Sequence, residues 1–183
     1  MTGPTAEFGY TLWGRDFRLL VEPLRVTRPE PLLPRARTLA RNAMRDVTVE
    51  DRLIRGTVVR GAEASVAHLE FGPMPRETAT RVTAEFGGAP AAAAMTDDAH
   101  RAIEPAAPEL VSVDCSCRAR TERCVHVLAL LYETVRRIDD DPVLALTLRG
   151  FPGVLGGAGP VDEAGPAPRL VPLASLDPDR FYG

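Results

Sequence analysis

The chain has 183 residues, 45% of them hydrophobic and 26% charged, with a net charge of −3. That length and balance suit a folded domain with tails and exclude wholesale disorder. No apolar run approaches the roughly 20 residues needed to span a bilayer, and the N-terminus lacks the basic-then-apolar plan of a secretion signal, so a soluble cytoplasmic protein with no membrane partner is expected.

Residues 1–34 give no clear periodicity, and Pro23, Pro29, Pro31 and Pro34 interrupt regular structure. A helix is expected over 35–45, with Leu39, Ala40 and Ala43 as its apolar side. Arg37, Arg41 and Arg45 would then share one face at i, i+4 and i+8. Three strand signals follow at 47–50, 53–60 and 64–71, separated by turns at Asp51-Arg52 and Gly61-Ala62. In the third, Ala67, Leu69 and Phe71 alternate with Val66, His68 and Glu70. This pattern predicts a small antiparallel meander. Pro75 opens a helix that Gly87-Gly88 stops.

The alanine-rich stretch 88–98 fits a linker or short helix, and Asp98–Ile103 a helical turn, with His100 exposed. Residues 109–114 read as a strand entering the cysteines. From Val125 to Ile138, Val127, Leu130, Leu131, Val135 and Ile138 trace the best apolar stripe in the chain. Asp139 to Pro142 ends that helix, and Val143–Leu148 forms a second short one. Residues 150–169 are rich in Gly and Pro and read as a linker. Leu170–Tyr182 regains apolar residues and is expected to dock on the body.

The chemistry concentrates in one short stretch, Cys115-x-Cys117-x6-Cys124-x-His126, which holds all three cysteines. An odd cysteine count argues against a pure disulfide framework, and clustered Cys followed by His points to metal. Three thiolates and a neutral imidazole satisfy the tetrahedral preference of zinc and leave no open position for water, so one structural Zn2+ is expected. In small zinc peptides such a site contributes on the order of 10 kcal/mol of folding energy. Three unliganded buried cysteines are the bland alternative, and a redox sensor a lesser one. Asp114 and Glu122 are weaker ligands and read as bystanders. No nucleophile–base pair, phosphate-binding glycine loop or carboxylate-pair motif is recognisable, so no catalytic residues and no enzyme activity are expected.

Every cationic side chain is arginine. Residues 1–60 carry 11 Arg against 7 acidic residues, whereas 61–114 carry 3 against 9. Any polyanion contact must therefore use a local basic face. The candidates are Arg35, Arg37, Arg41 and Arg45 along the helix and Arg118, Arg120 and Arg123 in the knuckle loop. For the loop arginines a second role is open, that of offsetting the thiolate charge and hydrogen-bonding the sulfurs. For the helix arginines the alternative is a solvated face.

The C-x-C, six-residue loop and C-x-H followed by an apolar helix resemble the SWIM-type zinc finger family. Further landmarks are similar to its bacterial members: Tyr10-Thr-Leu-Trp-Gly-Arg15, Arg35-Ala-Arg-Thr-Leu-Ala-Arg-Asn42, Val47-Thr-Val49 and Asp140-Asp-Pro142 through Gly150. The knuckle departs from the family habit: its loop is Arg118-Ala-Arg-Thr-Glu-Arg123, and Val125 stands where a lysine is common. The resemblance implies a zinc module that contacts DNA, RNA or protein. Bacterial relatives are often encoded beside a superfamily-two helicase or translocase, or an AAA-type ATPase.

The expected architecture is α+β, a small meander with flanking helices and a zinc knuckle feeding a helix. It divides into an N-terminal segment 1–34, an α+β body 35–110, the finger and following helices 111–150, and a linker and tail 151–183. The expected function is a non-catalytic accessory protein contacting nucleic acid or an ATPase partner. The alternative is a protein-interaction adaptor whose zinc is purely structural.

Overall fold

The computed structural model describes residues 8–24, 30–119, 121, 123–152 and 154. The expected linker and docking tail lie almost wholly outside the described residues. The fold is α+β, as expected from the sequence, and centres on one four-stranded antiparallel sheet.

Helix α1 (Leu12–Val21) opens the described chain, with Thr11 as N-cap accepting from the Gly14 N–H. Its buried residues Trp13, Phe17 and Val21 recur every four positions. No helix is expected there from the sequence. Helix α2 (Leu33–Asn42) carries a proline in its first turn, where a missing N–H is harmless. It buries Ala36, Leu39 and Ala40.

Strands β1 (Met44–Glu50), β2 (Leu53–Arg60) and β3 (Glu63–Phe71) form the meander. Its hairpins turn at Asp51 (φ 50°) and Gly61 (φ 60°), both in the left-handed region that tight turns require. In β3, Ala67, Leu69 and Phe71 are fully buried while Val66, His68 and Glu70 are half-buried. That matches the alternation expected of a sheet with one covered face. Strand β4 (Leu110–Cys115) completes the sheet beside β3, pairing Ala67 with Cys115 and Leu69 with Val113.

Between β3 and β4 lie α3 (Arg76–Phe86), a 3-10 turn at Ala92–Ala94 and α4 (Asp97–Ile103). Gly87 closes α3 in the left-handed conformation. His100 departs from the expected exposure. Its side chain is 13% accessible, bonds Asp16 at 2.8 Å and packs edge-on to Trp13. A polar local sequence does not foresee α1 lying across it.

Helix α5 (Val125–Asp140) is the axis of the core, and α6 (Val143–Thr147) follows. The foreseen stripe is buried, and so are Leu128, Ala129, Tyr132 and Thr134 on the other sides. The sheet covers one face of α5 while α1 and α2 cover another. A helix wrapped on several sides keeps only a narrow solvated strip, here Arg136, Arg137 and Asp140 at its C-terminal end. Its approach to the sheet is so close that a Cβ on Gly56 would lie 2.8 Å from Leu130 Cδ1. One hydrophobic cluster runs from Phe8 to Phe151 and joins side chains of segments 1–34, 35–110 and 111–150. Among the described residues, no helix is long and apolar enough to cross a membrane.

The expected helix over 35–45 ends early. Ala43 is the C-cap of α2 and Met44 already pairs with Val58 across the sheet. Arg45 is therefore a strand residue and does not extend the face of Arg37 and Arg41. Its guanidinium folds back to donate to the carbonyls of Met44 (2.6 Å) and Asn42 (3.1 Å). Cross-strand pairing outweighs the weak helix propensity of that junction.

Candidate metal centre

The four predicted ligands converge where β4 ends and α5 begins. The ligand atoms of Cys115, Cys117, Cys124 and His126 all lie within 4.8 Å of one another. Backbone geometry explains why. Cys115 stands opposite buried Ala67, and directly paired residues project to the same face of a sheet. One residue further on, the chain is still tied to β3. Ser116 N–H donates to the Val66 carbonyl at 2.9 Å, and the Ser116 Oγ accepts from the Val66 N–H at 2.9 Å. The chain bends from Ser116 to Arg118, directly after this anchor, and Cys117 comes to the same cluster as Cys115.

Cys124 supplies the N-cap of α5 with extended backbone angles (φ −68°, ψ 166°) and no side-chain capping bond. Its carbonyl accepts the first helical bond from Leu128 at 3.0 Å. The sulfur is thus left for the cluster at a helix N-terminus, where the dipole favours a thiolate. His126 follows in the first turn, its Nδ1 3.9 Å from Cys115 Sγ. All three thiols are free of disulfides.

The donor set passes a simple fit test for zinc. With Zn–S of about 2.3 Å and Zn–N of about 2.0–2.1 Å, a tetrahedron has S–S edges of about 3.8 Å and an S–N edge of about 3.6 Å. The observed separations need only a contraction of about 1 Å or less to meet these edges. Among the described residues no carboxylate joins the group. Asp114 pairs across the ladder with His68, one residue out of phase with Cys115. Glu122 lies outside the described residues.

Electrostatics make this a cluster that wants a cation. Burial pushes the Cys115 thiol up to about 12, and the neighbouring thiols of Cys117 and Cys124 add to the shift. Burial also acts against ionisation of Cys117, but the Ala119 backbone N–H and the other two thiols outweigh it, so its pKa falls below the ordinary range. His126 is held below its ordinary value by burial first and then by the positive charges of Arg35 and Arg60. A neutral imidazole is the form that binds a metal.

The structure sorts the predicted arginines sharply. Arg37 bonds Glu22 at 2.5 Å and the Tyr132 hydroxyl at 3.0 Å. Tyr132 in turn donates to the same Glu22 carboxylate. Arg41 lies over the Phe8 ring, 5.2 Å from its centroid. Arg45 is spent on backbone carbonyls, as described above. Arg123 reaches from the knuckle to the C-terminal end of α1, donating to Leu20 (2.7 Å) and Val21 (3.5 Å) carbonyls. Arg120 lies outside the described residues. Among the described residues no guanidinium donates to any of the three sulfurs, so the neutralising role weighed for Arg118 and Arg123 has no hydrogen bond behind it.

Arg35 and Arg118 differ from the rest. Both line a cavity of about 560 Å3 that also takes in Cys117 and His126. A third arginine, Arg60 at the end of β2, completes the lining. Sequence reasoning missed Arg60. Its only local signal is its position beside the Gly61-Ala62 turn, and nothing in that signal points to residues 25 and 58 positions away.

Comparison with known proteins yields no family assignment: no family model matches the chain, and no curated protein or solved structure matches it.

Proposed function

We propose that the chain is a non-catalytic accessory module of the SWIM zinc-finger type, built round one structural zinc ion on Cys115, Cys117, Cys124 and His126. The observation that carries this reading is the mutual approach of those four donors to within 4.8 Å. Three sulfurs and one imidazole nitrogen are a soft, four-donor set that suits zinc over magnesium, calcium or manganese. With the coordination shell filled by protein, such an ion braces structure and has no position for an activated water. Free thiols of this kind belong in a reducing compartment, which supports a cytoplasmic location.

The proposed partner is nucleic acid, with a helicase, translocase or AAA-type ATPase supplying the motor. The three arginines around the cavity beside the metal support the nucleic-acid half, and the SWIM resemblance supports the ATPase half. The zinc keeps the loop that carries Arg118 folded against the sheet.

The test is metal content by mass spectrometry on protein purified without added metal, alongside a Cys117→Ser variant. One zinc per chain, reduced in the variant, is expected. Cobalt substitution should give the intense visible bands of a tetrahedral thiolate site. Folded, reduced protein with no metal and no cobalt spectrum would refute the zinc centre. Binding of labelled DNA and RNA at low salt tests the partner. Its absence would leave the adaptor alternative, in which zinc only shapes a protein-binding surface.

A further inference from the structure

We infer that the cavity bounded by Arg35, Arg60 and Arg118 binds the phosphodiester backbone of nucleic acid and does not read its bases. This rests on the nucleic-acid reading above and assigns it a site. The three guanidinium groups come from three separate elements: the first turn of α2, the end of β2 and the loop between Cys117 and Cys124. Among the described residues, none of the three makes a hydrogen bond or ion pair within the chain. By contrast, Arg37, Arg45, Arg52, Arg123, Arg136, Arg137 and Arg149 are all bonded to carboxylates, a phenol or carbonyls.

Three unpaired cations around one concavity repel each other, and a bound anion removes that cost. Among the described residues the one carboxylate in the lining is Glu63, which pairs with Arg60 in the strand register but is not within ion-pair distance of any of the three. Two hydroxyls, Ser65 and Ser116, also line the cavity. The Ser116 oxygen already accepts from the Val66 N–H, so its proton remains free to donate.

Size and composition narrow the ligand. About 560 Å3 is within the range of small-molecule sites, roughly 300–1,000 Å3, and is roomy enough for a phosphate with its sugar. Among the described residues no Phe, Tyr or Trp lines the cavity, and its one aromatic ring, the His126 imidazole, belongs to the four-donor cluster, so the cavity lacks the stacking platform that sequence-tolerant single-strand sites normally provide. Arginine forks and hydroxyls without base-edge partners position a backbone and leave sequence unread. Cys117 and His126 line the same cavity, so metal loading holds one of its walls.

The test is fluorescence anisotropy of the full zinc-loaded chain with labelled duplex and single-stranded oligonucleotides of unrelated sequence, across a salt series. The variants are Arg35→Ala and Arg60→Ala, with Arg55→Ala as the control. Arg55 is exposed in β2, opposite His68 and outside this cavity. Each cavity variant should lower affinity about eightfold at 0.1 M salt and flatten the duplex log–log salt slope by about 0.9. Arg55→Ala should leave the slope unchanged, and unrelated sequences should bind alike. If wild type binds nucleic acid but the cavity variants match it, the site is wrong and the nucleic-acid reading survives. If wild type binds none, both fall. If a nucleoside monophosphate saturates the cavity with the same Arg60 dependence while oligonucleotides do not bind, the cavity is a nucleotide pocket and the backbone assignment is overturned.

Discussion

Removing the metal should lower the melting temperature substantially and yet leave the protein folded at 25 °C. The four ligands tie together only the end of β4 and the first turn of α5. Most of the core does not pass through them. Val127 to Tyr132 of α5 are at most 1% exposed, and β4 is held to β3 by paired residues from Ala67–Cys115 to Phe71–Leu110. An ion that binds only the folded chain stabilises it by RT ln(1 + [M]/Kd), about 4 kcal/mol when free metal is a thousand times Kd. For a domain of this size each kcal/mol moves the midpoint by about 2–4 °C, so the fall should be about 8–16 °C. Domains of this kind hold about 5–15 kcal/mol in total, which leaves the apo form a positive margin. The assay is thermal unfolding by circular dichroism at 222 nm with zinc and with a strong chelator, metal content being measured on both samples. Loss of the helical signal at 25 °C on chelation would refute the reasoning, because the core would then depend on metal as a zinc peptide does. An unchanged midpoint in metal-free protein would refute it from the other side.

Gly14→Ala should destabilise by about 2–4 kcal/mol, combining overpacking with loss of a cap. Its Cβ would sit 2.2 Å from Asp139 Oδ1, and that carboxylate holds the N–H groups of Gly9 (2.6 Å) and Thr11 (3.0 Å) at the start of α1. A urea titration showing the gain of about 1 kcal/mol that helix propensity alone would give would rule this out. Glu133 should contribute to acid stability. Burial opposes its ionisation, but hydrogen bonds from Arg136 and Arg137 win, so its pKa is lowered. A carboxylate depressed on folding stabilises at pH values above its unfolded pKa of about 4.3 and loses that contribution as pH falls through the folded value. Glu133→Gln should flatten the fall of the urea midpoint between about pH 4.3 and 3. Arg37→Ala should cost about 1 kcal/mol, since its ion pair is partly exposed, and should leave the salt slope of nucleic-acid binding untouched. A flattened slope would return Arg37 to the binding surface.

Local signals carried far where the decisive physics is local. The alternation in β3 reports which face of a sheet is dry, and the turns at Asp51-Arg52 and Gly61-Ala62 lie where backbone sterics put them. Helix α5 is legible from its stripe because burial of that stripe is what keeps it helical. Helix α1 is different. Trp13, Phe17 and Val21 do repeat at helical spacing, but prolines follow closely, and the group that secures the helix start is Asp139, 128 residues from Thr11 in the chain. Arg45 likewise sits at a position where helix phase and strand pairing compete, and only the partner strand decides between them.

The four donors were determined by the sequence itself. Thiol and imidazole chemistry resides in the residue types, and the C-x-C and C-x-H spacings keep each pair together at a strand end and a helix start. Which arginines remain open was decided only by the tertiary structure. Arg37 and Arg35 stand two residues apart on one helix, yet the first is locked to Glu22 and Tyr132 while the second faces a cavity shared with Arg60 and Arg118. A guanidinium takes its role from whatever acceptor lies within hydrogen-bond reach, and that is settled by chain crossings between residues far apart in sequence.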